Sequence, residues 1–303
     1  MSEITLSVKG LRKVIGEKEI IKGLDFDLKK GEVFGFLGPN GAGKTTTIRM
    51  LVSLIKPTSG SIEICGYKVE TQFIEAMSQL GCIVENPELY PYLTGWENLE
   101  HFARMLPKAD KEHMKAVVKL VRLHERIHDP VKTYSLGMRQ RLGIAQALLG
   151  KPKVLILDEP TNGLDPAGIR EMRSFIRFLA EEEGLSVLVS SHLLSEIQLM
   201  CDRVAIISKG EIIKVDTVDS LLSLQERLIW RVTPVVEAKR ILEGWTPVTV
   251  GRDGTLITMY NEQDAAAWNR GLVEQGIDVK EMQRKLPALE DLFLELTGGE
   301  TVD

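Results

Sequence analysis

The segment from Gly38 to Thr46 has the residue types and the spacing of a phosphate-binding loop. It fits the pattern GxxxxGK followed by Ser or Thr, and it stands between a strand pattern and a helical pattern. Glycines let backbone N–H groups turn towards phosphate oxygens, and the start of the helix adds partial positive charge. Lys44 would reach the β- and γ-phosphates, and Thr45 would hold Mg²⁺. The residues predicted to bind the nucleotide here are Gly38, Pro39, Asn40, Gly41, Ala42, Gly43, Lys44, Thr45 and Thr46.

Two carboxylates follow the apolar run from Val154 to Leu157. Asp158 and Glu159 would therefore lie at the carboxyl end of a buried strand, where ligands of open α/β sheets bind. We expect Asp158 to hold Mg²⁺ through water and Glu159 to polarise the water that attacks the γ-phosphate. By itself such a strand end is more often a solvated turn, so this prediction depends on the phosphate loop upstream.

Polar residues follow two further predicted strands. His192 comes after the strand Leu185 to Ser190, and we expect it at the same edge of the sheet, in contact with the γ-phosphate. Glu85 follows the strand Gly81 to Val84 and would approach the Mg²⁺ and the attacking water. The alternatives are an exposed or structural histidine and a solvated loop carboxylate.

The elements that must position these residues alternate between strands and helices, which indicates an α/β fold. Trp96 to Leu149 shows almost no strand pattern and is interpreted as an inserted helical region. Helices are predicted from Lys44 up to the Pro57–Gly60 turn and from Ala167 to Glu183. Besides the strands already described, the sequence predicts strands at Thr5–Lys9, Leu24–Leu28, Glu32–Leu37, Ser61–Cys65 and Arg203–Ile207.

The pattern changes beyond about Leu221. We expect a strand at Leu228–Val232 and a hairpin over Val248–Met259 that turns at Arg252, Asp253 and Gly254. Helices are predicted at Glu262–Gln275 and Pro287–Leu296. The sequence therefore predicts a nucleotide-binding domain over residues 1–220, with a helical insert at about 86–150, and a small α+β accessory domain over 221–303.

Composition is that of an ordinary globular protein and excludes several classes. The 303 residues include 38 Lys+Arg and 43 Asp+Glu, and the net charge of −5 gives no reason to expect a nucleic-acid partner. No apolar run approaches the roughly 20 residues that cross a bilayer, and no secretion signal is visible, so a cytoplasmic location is expected. Three cysteines without CxxC spacing speak against disulfides or a zinc site.

The order of the motifs resembles that of the ATP-binding cassette (ABC) ATPases over residues 1 to about 220. This resemblance implies a P-loop NTPase fold with an antiparallel β subdomain and an inserted helical subdomain, and it implies ATP and Mg²⁺ as cofactors. It also implies a homodimer or pseudo-symmetric dimer, since the chain carries one set of motifs. In that family Ser135 and Gly137 would bind the γ-phosphate of ATP held by the opposite protomer, and Asp165 would lie at the dimer interface. The motifs are Gly38–Thr46, Ser135–Arg141, Val154–Glu159, Gly163–Asp165 and Ser191–His192.

The chain departs from the common family pattern at several positions. Leu136 and Met138 replace the usual Gly and Gln of the Ser135–Arg141 motif. Glu85 stands where most members have glutamine, and here the chain is similar to bacitracin-type and lantibiotic-immunity exporter cassettes. Ile15 replaces the aromatic residue that stacks on adenine, so looser base recognition is expected.

The resemblance favours an ATP-hydrolysing subunit of an exporter, bound to the inner face of the membrane through a separate polytopic permease. Tyr90, Tyr92, Trp96 and Phe102 lie where family members press against a short helix of that permease, although they could equally form the core of the helical insert. One alternative is a soluble ABC ATPase acting on ribosomes or DNA. A P-loop kinase would explain the Gly38–Thr46 loop but would leave Ser135–Arg141 and His192 without a role.

Overall fold

A computed structural model describes residues 3–106, 109–191, 193–223, 226–251, 253–285 and 289–296. The chain forms two compact units, the first ending at Thr217 and the second beginning at Val218. Among the helices within these ranges, none is long and apolar enough to cross a bilayer.

The first unit follows the predicted alternation of strands and helices. Its elements are β1 (Ile4–Ile15), β2 (Lys18–Lys29), β3 (Val33–Leu37), α1 (Lys44–Leu51), β4 (Ser59–Ile64), β5 (Tyr67–Lys68), α2 (Phe73–Met77), β6 (Leu80–Ile83), α3 (Gly95–Ala103), α4 (Lys111–Leu120), α5 (Leu136–Leu148), β7 (Val154–Asp158), α6 (Pro166–Glu181), β8 (Ser186–Ser191), α7 (Leu194–Met200), β9 (Arg203–Ser208) and β10 (Glu211–Thr217).

The central sheet of this unit has the strand order β10-β9-β3-β8-β7-β6. Strands β9, β3, β8, β7 and β6 run parallel, and β10 closes one edge antiparallel. Every residue of β3, β7 and β8 is buried, as expected for central parallel strands covered on both faces. Because these strands share one direction, the segments that follow them begin at one edge of the sheet.

A second, antiparallel sheet of the order β2-β1-β4-β5 packs on this core. Leu6, Val8 and Leu11 of β1 and Leu24, Phe26 and Leu28 of β2 are buried. The Phe26 ring stacks on Phe34 of β3 with centroids 5.8 Å apart. Apolar residues of both sheets and of α1 share one cluster, which includes Leu6, Phe36 and Ile48. The predicted α/β fold with an antiparallel β sheet is confirmed.

Helices α3, α4 and α5 form the helical insert, and side-chain caps define where each begins. Thr94 forms a capping box with Glu97, Asp110 caps α4, and Ser135 caps α5. The buried Tyr134 hydroxyl donates to the Arg126 carbonyl at 2.6 Å. Burial of this hydroxyl raises the pKa of Tyr134 to about 12.

The second unit has the βαββαβ order of a ferredoxin-like fold. Its antiparallel sheet has the strand order β12-β13-β11-β14, and Leu228, Trp230 and Val232 of β11 pack on α9 and α10. The indole N–H of Trp230 donates to Thr258 Oγ1 at 3.0 Å. Its elements are α8 (Val218–Ser223), β11 (Arg227–Thr233), α9 (Val235–Glu243), β12 (Val248–Val250), β13 (Leu256–Met259), α10 (Glu262–Glu274), β14 (Asp278–Lys285) and α11 (Leu289–Leu296).

The structure differs from the sequence-based predictions at α1, and it contains elements that were not predicted. Helix α1 was expected to continue through Ile55, but it ends at Leu51 because Ser53 adopts a left-handed conformation with φ 59°. Elements that were not predicted include α7, α9, β10 and β14. Strand β14 is a charged edge strand whose residues do not alternate, so its sequence carries no strand pattern. Arg252 of the predicted hairpin turn and Pro287 of the predicted last helix lie outside the described residues.

Candidate functional site

The loop between β3 and α1 contains glycines at positions where a larger residue would clash or strain the backbone. A Cβ atom on Gly38 would lie 2.4 Å from the Ile207 carbonyl oxygen, and one on Gly43 would lie 2.4 Å from Ile21 Cδ1. Gly43 also starts α1 with φ 109°, in the left-handed region. The loop therefore holds its backbone tightly against β2 and β9, with the first N–H groups of α1 at its end.

The Lys44 side chain is buried within this loop. Its ammonium group donates to the carbonyl oxygens of Gly38 at 2.6 Å and of Pro39 at 3.3 Å. Burial lowers the pKa of Lys44, while the nearby carboxylates of Glu159 and Asp158 act in the opposite direction. The lysine of the phosphate loop and the acidic pair at the end of β7 are thus close enough to interact electrostatically.

Ser190 of β8 joins the two acidic residues. Its Oγ donates to Asp158 Oδ1 and accepts from the backbone N–H of Glu159 at 3.0 Å. The Glu159 N–H also points to the Ser190 carbonyl oxygen at 3.2 Å, and Glu159 adopts a left-handed φ of 50°. Because the register sets Asp158 beside Ser190, this serine fixes the start of the turn that carries Glu159.

Burial raises the pKa of Asp158, and the charges of Glu159 and Glu85 raise it further. The hydrogen bond from Ser190 and the charge of Lys44 oppose this shift. Three carboxylates and one ammonium group therefore interact at a single edge of the sheet. An arrangement of this kind suits a site that receives polyanionic phosphates together with a cation.

Glu85 lies two residues beyond the end of β6, with a left-handed φ of 64°. Its carboxylate forms an ion pair with Arg49 on the exposed side of α1. The structure therefore brings Glu85 within electrostatic range of Asp158 but directs its carboxylate to the phosphate-loop helix. His192 lies outside the described residues, although Ser191 before it ends β8 at the expected edge.

The predicted dimer-contact residues share a different surface. Ser135 and Asp165 are the N-caps of α5 and α6, accepting from the N–H groups of Met138 at 3.2 Å and Gly168 at 2.9 Å. Both line a cavity of 450 Å³, together with Gly137. All residues that line this cavity come from α5, α6 and the segments that lead into them.

The remaining predicted residues lie on the surface of the first unit. Ile15 is exposed at the end of β1 and pairs with Lys18 across the β1–β2 hairpin. Tyr90 and Tyr92 are 49% and 83% exposed, whereas Trp96 and Phe102 are half-buried. Tyr90 also packs edge-on against His101 of α3, with ring centres 5.2 Å apart.

Oxygen donors suited to Mg²⁺ are present at the first turn of α1 and at the end of β7. Mg²⁺ in phosphate sites is held by one or two protein oxygens plus phosphate and water, and Thr45 and Asp158 offer a hydroxyl and a carboxylate. Within the described ranges, no group of three or more His, Cys, Asp or Glu could hold a metal by itself. The donor set therefore fits a cation that is shared with nucleotide phosphates.

The roles of Ser190 and Arg49 at this site were missed by sequence reasoning. The register that sets Ser190 beside Asp158 is a property of strand pairing, and the pair between Arg49 and Glu85 joins positions 36 residues apart. For Ser190, the only signal in the sequence is its position at the end of an apolar run, directly before Ser191 and His192.

Comparisons with known proteins agree with this geometry. Residues 21–162 match the family model described as ABC transporter. The chain is 49% identical to the uncharacterised ABC transporter ATP-binding protein YdbJ of Bacillus subtilis, over 98% of this chain and 96% of that protein. It is 40% identical to the bacitracin transport ATP-binding protein BcrA of Bacillus licheniformis, over 96% of this chain and 97% of that protein.

Among solved structures, the chain is similar to cbiO1 from Clostridium perfringens, part of the ABC transporter complex cbiONQ. The TM-score is 0.67 at 26% identity, covering 72% of this chain and 90% of that one. The expected resemblance to bacitracin-type cassettes is confirmed, and with BcrA it extends over nearly the whole chain.

Proposed function

The chain belongs to the family of ABC transporter ATP-binding subunits, and from this membership we propose how its ATPase site is assembled and what it drives. Two copies bind two ATP molecules, each together with Mg²⁺, and hydrolysis drives a separate membrane permease. The observation that carries the proposal is that the predicted ATP-binding residues lie in two separate places on the chain. The Lys44 and Asp158 group lies at the sheet edge, while Ser135 and Gly137 line the cavity beside α6.

Lys44 and the N–H groups at the start of α1 bind the β- and γ-phosphates. Thr45 and Asp158 hold Mg²⁺, which neutralises phosphate charge when bound. Glu159 accepts a proton from the attacking water, and Ser190 fixes the backbone from which Glu159 projects. His192 contacts the γ-phosphate, and Glu85 lies near the cation.

Gly137 supports the second half of the site. A Cβ atom there would meet Leu164 Cδ2 at 3.8 Å and Ser135 Oγ at 4.0 Å, which are ordinary contacts. Among the described residues, no neighbour of Gly137 requires a glycine at this position, where alanine would favour the helix more. We therefore assign the open space above Gly137 to a nucleotide held by a second copy, with Asp165 at the same interface.

The exposed Tyr90 and Tyr92 are proposed to face the permease. Large aromatic side chains left in solvent are typical anchors for a partner helix, and this segment follows Glu85 directly along the chain. The chain would then sit on the inner face of the membrane through its permease. Because BcrA is a bacitracin transport protein, we propose export of a peptide antibiotic or another amphipathic compound.

Two assignments complete the proposal. Ile15 gives adenine an apolar face without aromatic stacking, so discrimination between ATP and GTP is modest. The second unit, which begins at Val218, is an accessory domain. A soluble ABC ATPase acting on ribosomes or DNA is not favoured, because the relatives over the whole chain are transport proteins.

The test uses Glu159→Gln, which keeps the shape of the side chain and removes the base. We expect ATP binding to persist while turnover falls by roughly 10²- to 10⁴-fold. In this background, light scattering should show a dimer with ATP and a monomer without it. Turnover close to that of the wild type would remove Glu159 from its catalytic role, and a monomer under saturating ATP would contradict the assembly. Co-purification of a polytopic subunit from gently solubilised membranes tests the permease.

A further inference from the structure

Asn98 of α3 is a fully buried polar residue whose amide group binds the backbone of a neighbouring turn. Its amide oxygen accepts from the backbone N–H of Tyr90 at 2.8 Å, and its amide nitrogen donates to the Tyr90 carbonyl oxygen at 3.1 Å. The same nitrogen donates to the carbonyl oxygen of Thr94, the N-cap of α3, at 2.9 Å. One buried side chain therefore pairs both polar groups of the Tyr90 backbone and is itself held at the start of its helix.

Helix α3 holds the ring of Tyr90 as well as its backbone. His101 lies three residues after Asn98, on the same face of the helix, and its ring packs edge-on against the Tyr90 ring. The N–H of Leu93 donates to the Tyr90 carbonyl oxygen at 3.2 Å and closes the turn. Tyr90 and Tyr92 nevertheless remain exposed. The two rings proposed to face the permease thus lie on a turn whose first residue is fixed by α3.

The far side of this turn has a separate support. Backbone N–H groups of the segment 131–132 donate to the Pro91 carbonyl oxygen at 2.8 Å and to the Leu93 carbonyl oxygen at 2.9 Å. These bonds do not involve Asn98, so a substitution there should free the first residue of the turn while the rest stays attached. The segment that leads from residue 131 to Ser135 should then keep its position, and so should the ATP site.

Asparagine has the hydrogen-bonding groups that this position uses. Its amide offers one acceptor oxygen and two donor hydrogens, which match the N–H of Tyr90 and the two carbonyl oxygens of Tyr90 and Thr94. Aspartate would place a carboxylate against two carbonyl oxygens. Serine has a single O–H donor, so it cannot replace both donated bonds. Serine therefore weakens the hold on Tyr90 without introducing a charge.

We propose that Asn98 is a positioning residue for the permease contact. By fixing the Tyr90 backbone, it holds the turn in the conformation in which Tyr90 and Tyr92 meet the permease. This inference rests on the permease role proposed above. If the turn holds that conformation for only a fraction of the time, the apparent affinity for the permease falls by the same fraction. The bound chain keeps its activity, so affinity is lost and catalysis is not.

The test separates affinity from maximal activity. The chain is titrated into membranes that contain the permease identified by co-purification and no copy of this chain, and stimulated ATPase activity is measured. For Asn98→Ser, the concentration that gives half-maximal stimulation should rise about three- to tenfold, with the maximum within about twofold of the wild type. ATPase activity of the lone protein should also stay within about twofold of the wild type, because Lys44 and Ser135 are intact.

Asp110→Ala is a matched control within the same helical insert. Asp110 caps α4 by accepting from the N–H of His113 at 2.8 Å, so its loss should lower the melting temperature without changing the turn. The half-maximal concentration should remain that of the wild type. Hydrogen exchange at the Tyr90 amide of the lone chain gives a second measurement. Asn98→Ser should accelerate this exchange by about fivefold or more, and Asp110→Ala should not.

The outcomes distinguish this inference from the proposed function. If no co-purified subunit stimulates the wild type, the permease role is wrong, and exchange at the Tyr90 amide still decides whether Asn98 holds the turn. If Asn98→Ser accelerates this exchange but keeps the half-maximal concentration of the wild type, the positioning role is wrong. Equal losses of affinity in Asn98→Ser and Asp110→Ala would contradict it as well.

The wild type itself tests the hold on the turn, even if Asn98→Ser does not fold. Because the Tyr90 N–H is bound by a buried side chain, it should exchange as slowly as the N–H groups within α3. A Tyr90 amide that exchanges as fast as that of an unprotected surface turn would overturn the inference.

Discussion

Replacing Ser190 with alanine should impair hydrolysis more than it impairs folding. The substitution removes the hydroxyl that donates to Asp158 and accepts from the Glu159 N–H at 3.0 Å, and it adds no bulk to a fully buried position. A hydrogen bond to a charged group contributes about 1.5–3 kcal/mol, so we expect about 2 kcal/mol less free energy of unfolding.

The catalytic effect follows from the geometry that remains. The Glu159 N–H keeps the Ser190 carbonyl as a partner at 3.2 Å, so the turn loosens rather than unfolds. A displacement of about 1 Å can cost 10²-fold in rate, and partial loosening should lower kcat by about tenfold. The assays are steady-state phosphate release at saturating ATP and urea unfolding monitored by fluorescence.

Ser186 provides a matched control on the same strand. It is equally buried and accepts from Thr5 Oγ1 at 2.7 Å, but it lies at the opposite end of β8. Ser186→Ala should lower the free energy of unfolding by about 1 kcal/mol and leave kcat unchanged. The reasoning is refuted if Ser190→Ala keeps kcat within about twofold of the wild type, or if Ser186→Ala loses as much activity.

Three further predictions concern the base, the Glu85 pair and the helical insert. Ile15→Tyr should strengthen the binding of ATP relative to GTP by about 0.5–1.5 kcal/mol through stacking. If the wild type prefers ATP about a hundredfold in competition binding, another group recognises the base. Glu85→Ala and Arg49→Gln should each reduce permease-stimulated ATPase activity more than basal ATPase activity, because each breaks the ion pair between α1 and the segment that leads to Tyr90. Stimulation and transport equal to those of the wild type in both variants would show that the pair has no coupling role. Tyr134→Phe should cost about 1 kcal/mol of unfolding free energy at neutral pH. Because the pKa of Tyr134 is raised from 10.0 to about 12 in the folded chain, wild-type stability falls as pH rises through this window. The urea midpoints of the wild type and Tyr134→Phe should therefore converge there. A constant difference between the midpoints would contradict the raised pKa of Tyr134.

Much of the nucleotide site follows from the sequence because its parts are local. An apolar run that ends in Asp158 and Glu159 already implies a buried strand with acidic residues at its carboxyl end. The conformation of the loop that ends in Lys44 follows from the residues of the loop itself. Parallel strands then bring these ends to one edge without further information. The same logic applies to Ser135 and Asp165, whose helix-capping roles are visible as residue types before helical patterns.

The rest depends on pairing between distant segments. Ser190 acquires its role only when β8 lies beside β7 in a particular register, and Arg49 meets Glu85 only after β6 and α1 have packed. Strand β14 escaped prediction because an exposed edge strand has no buried face to impose alternation. The cavity beside Arg141 likewise exists only between two assembled helices.

The central claim, that each ATP site is shared by two copies, is tested most directly by mixing two inactive variants. Lys44→Ala disables the phosphate loop and keeps Ser135, whereas Ser135→Arg keeps the phosphate loop and blocks the partner's nucleotide. Each variant alone should be nearly inactive. In an equimolar mixture, half of the dimers would hold one intact composite site out of two, so ATPase activity should recover to about a quarter of the wild-type value. A mixture as inactive as its components, or a Ser135→Arg variant with wild-type turnover, would contradict the shared site.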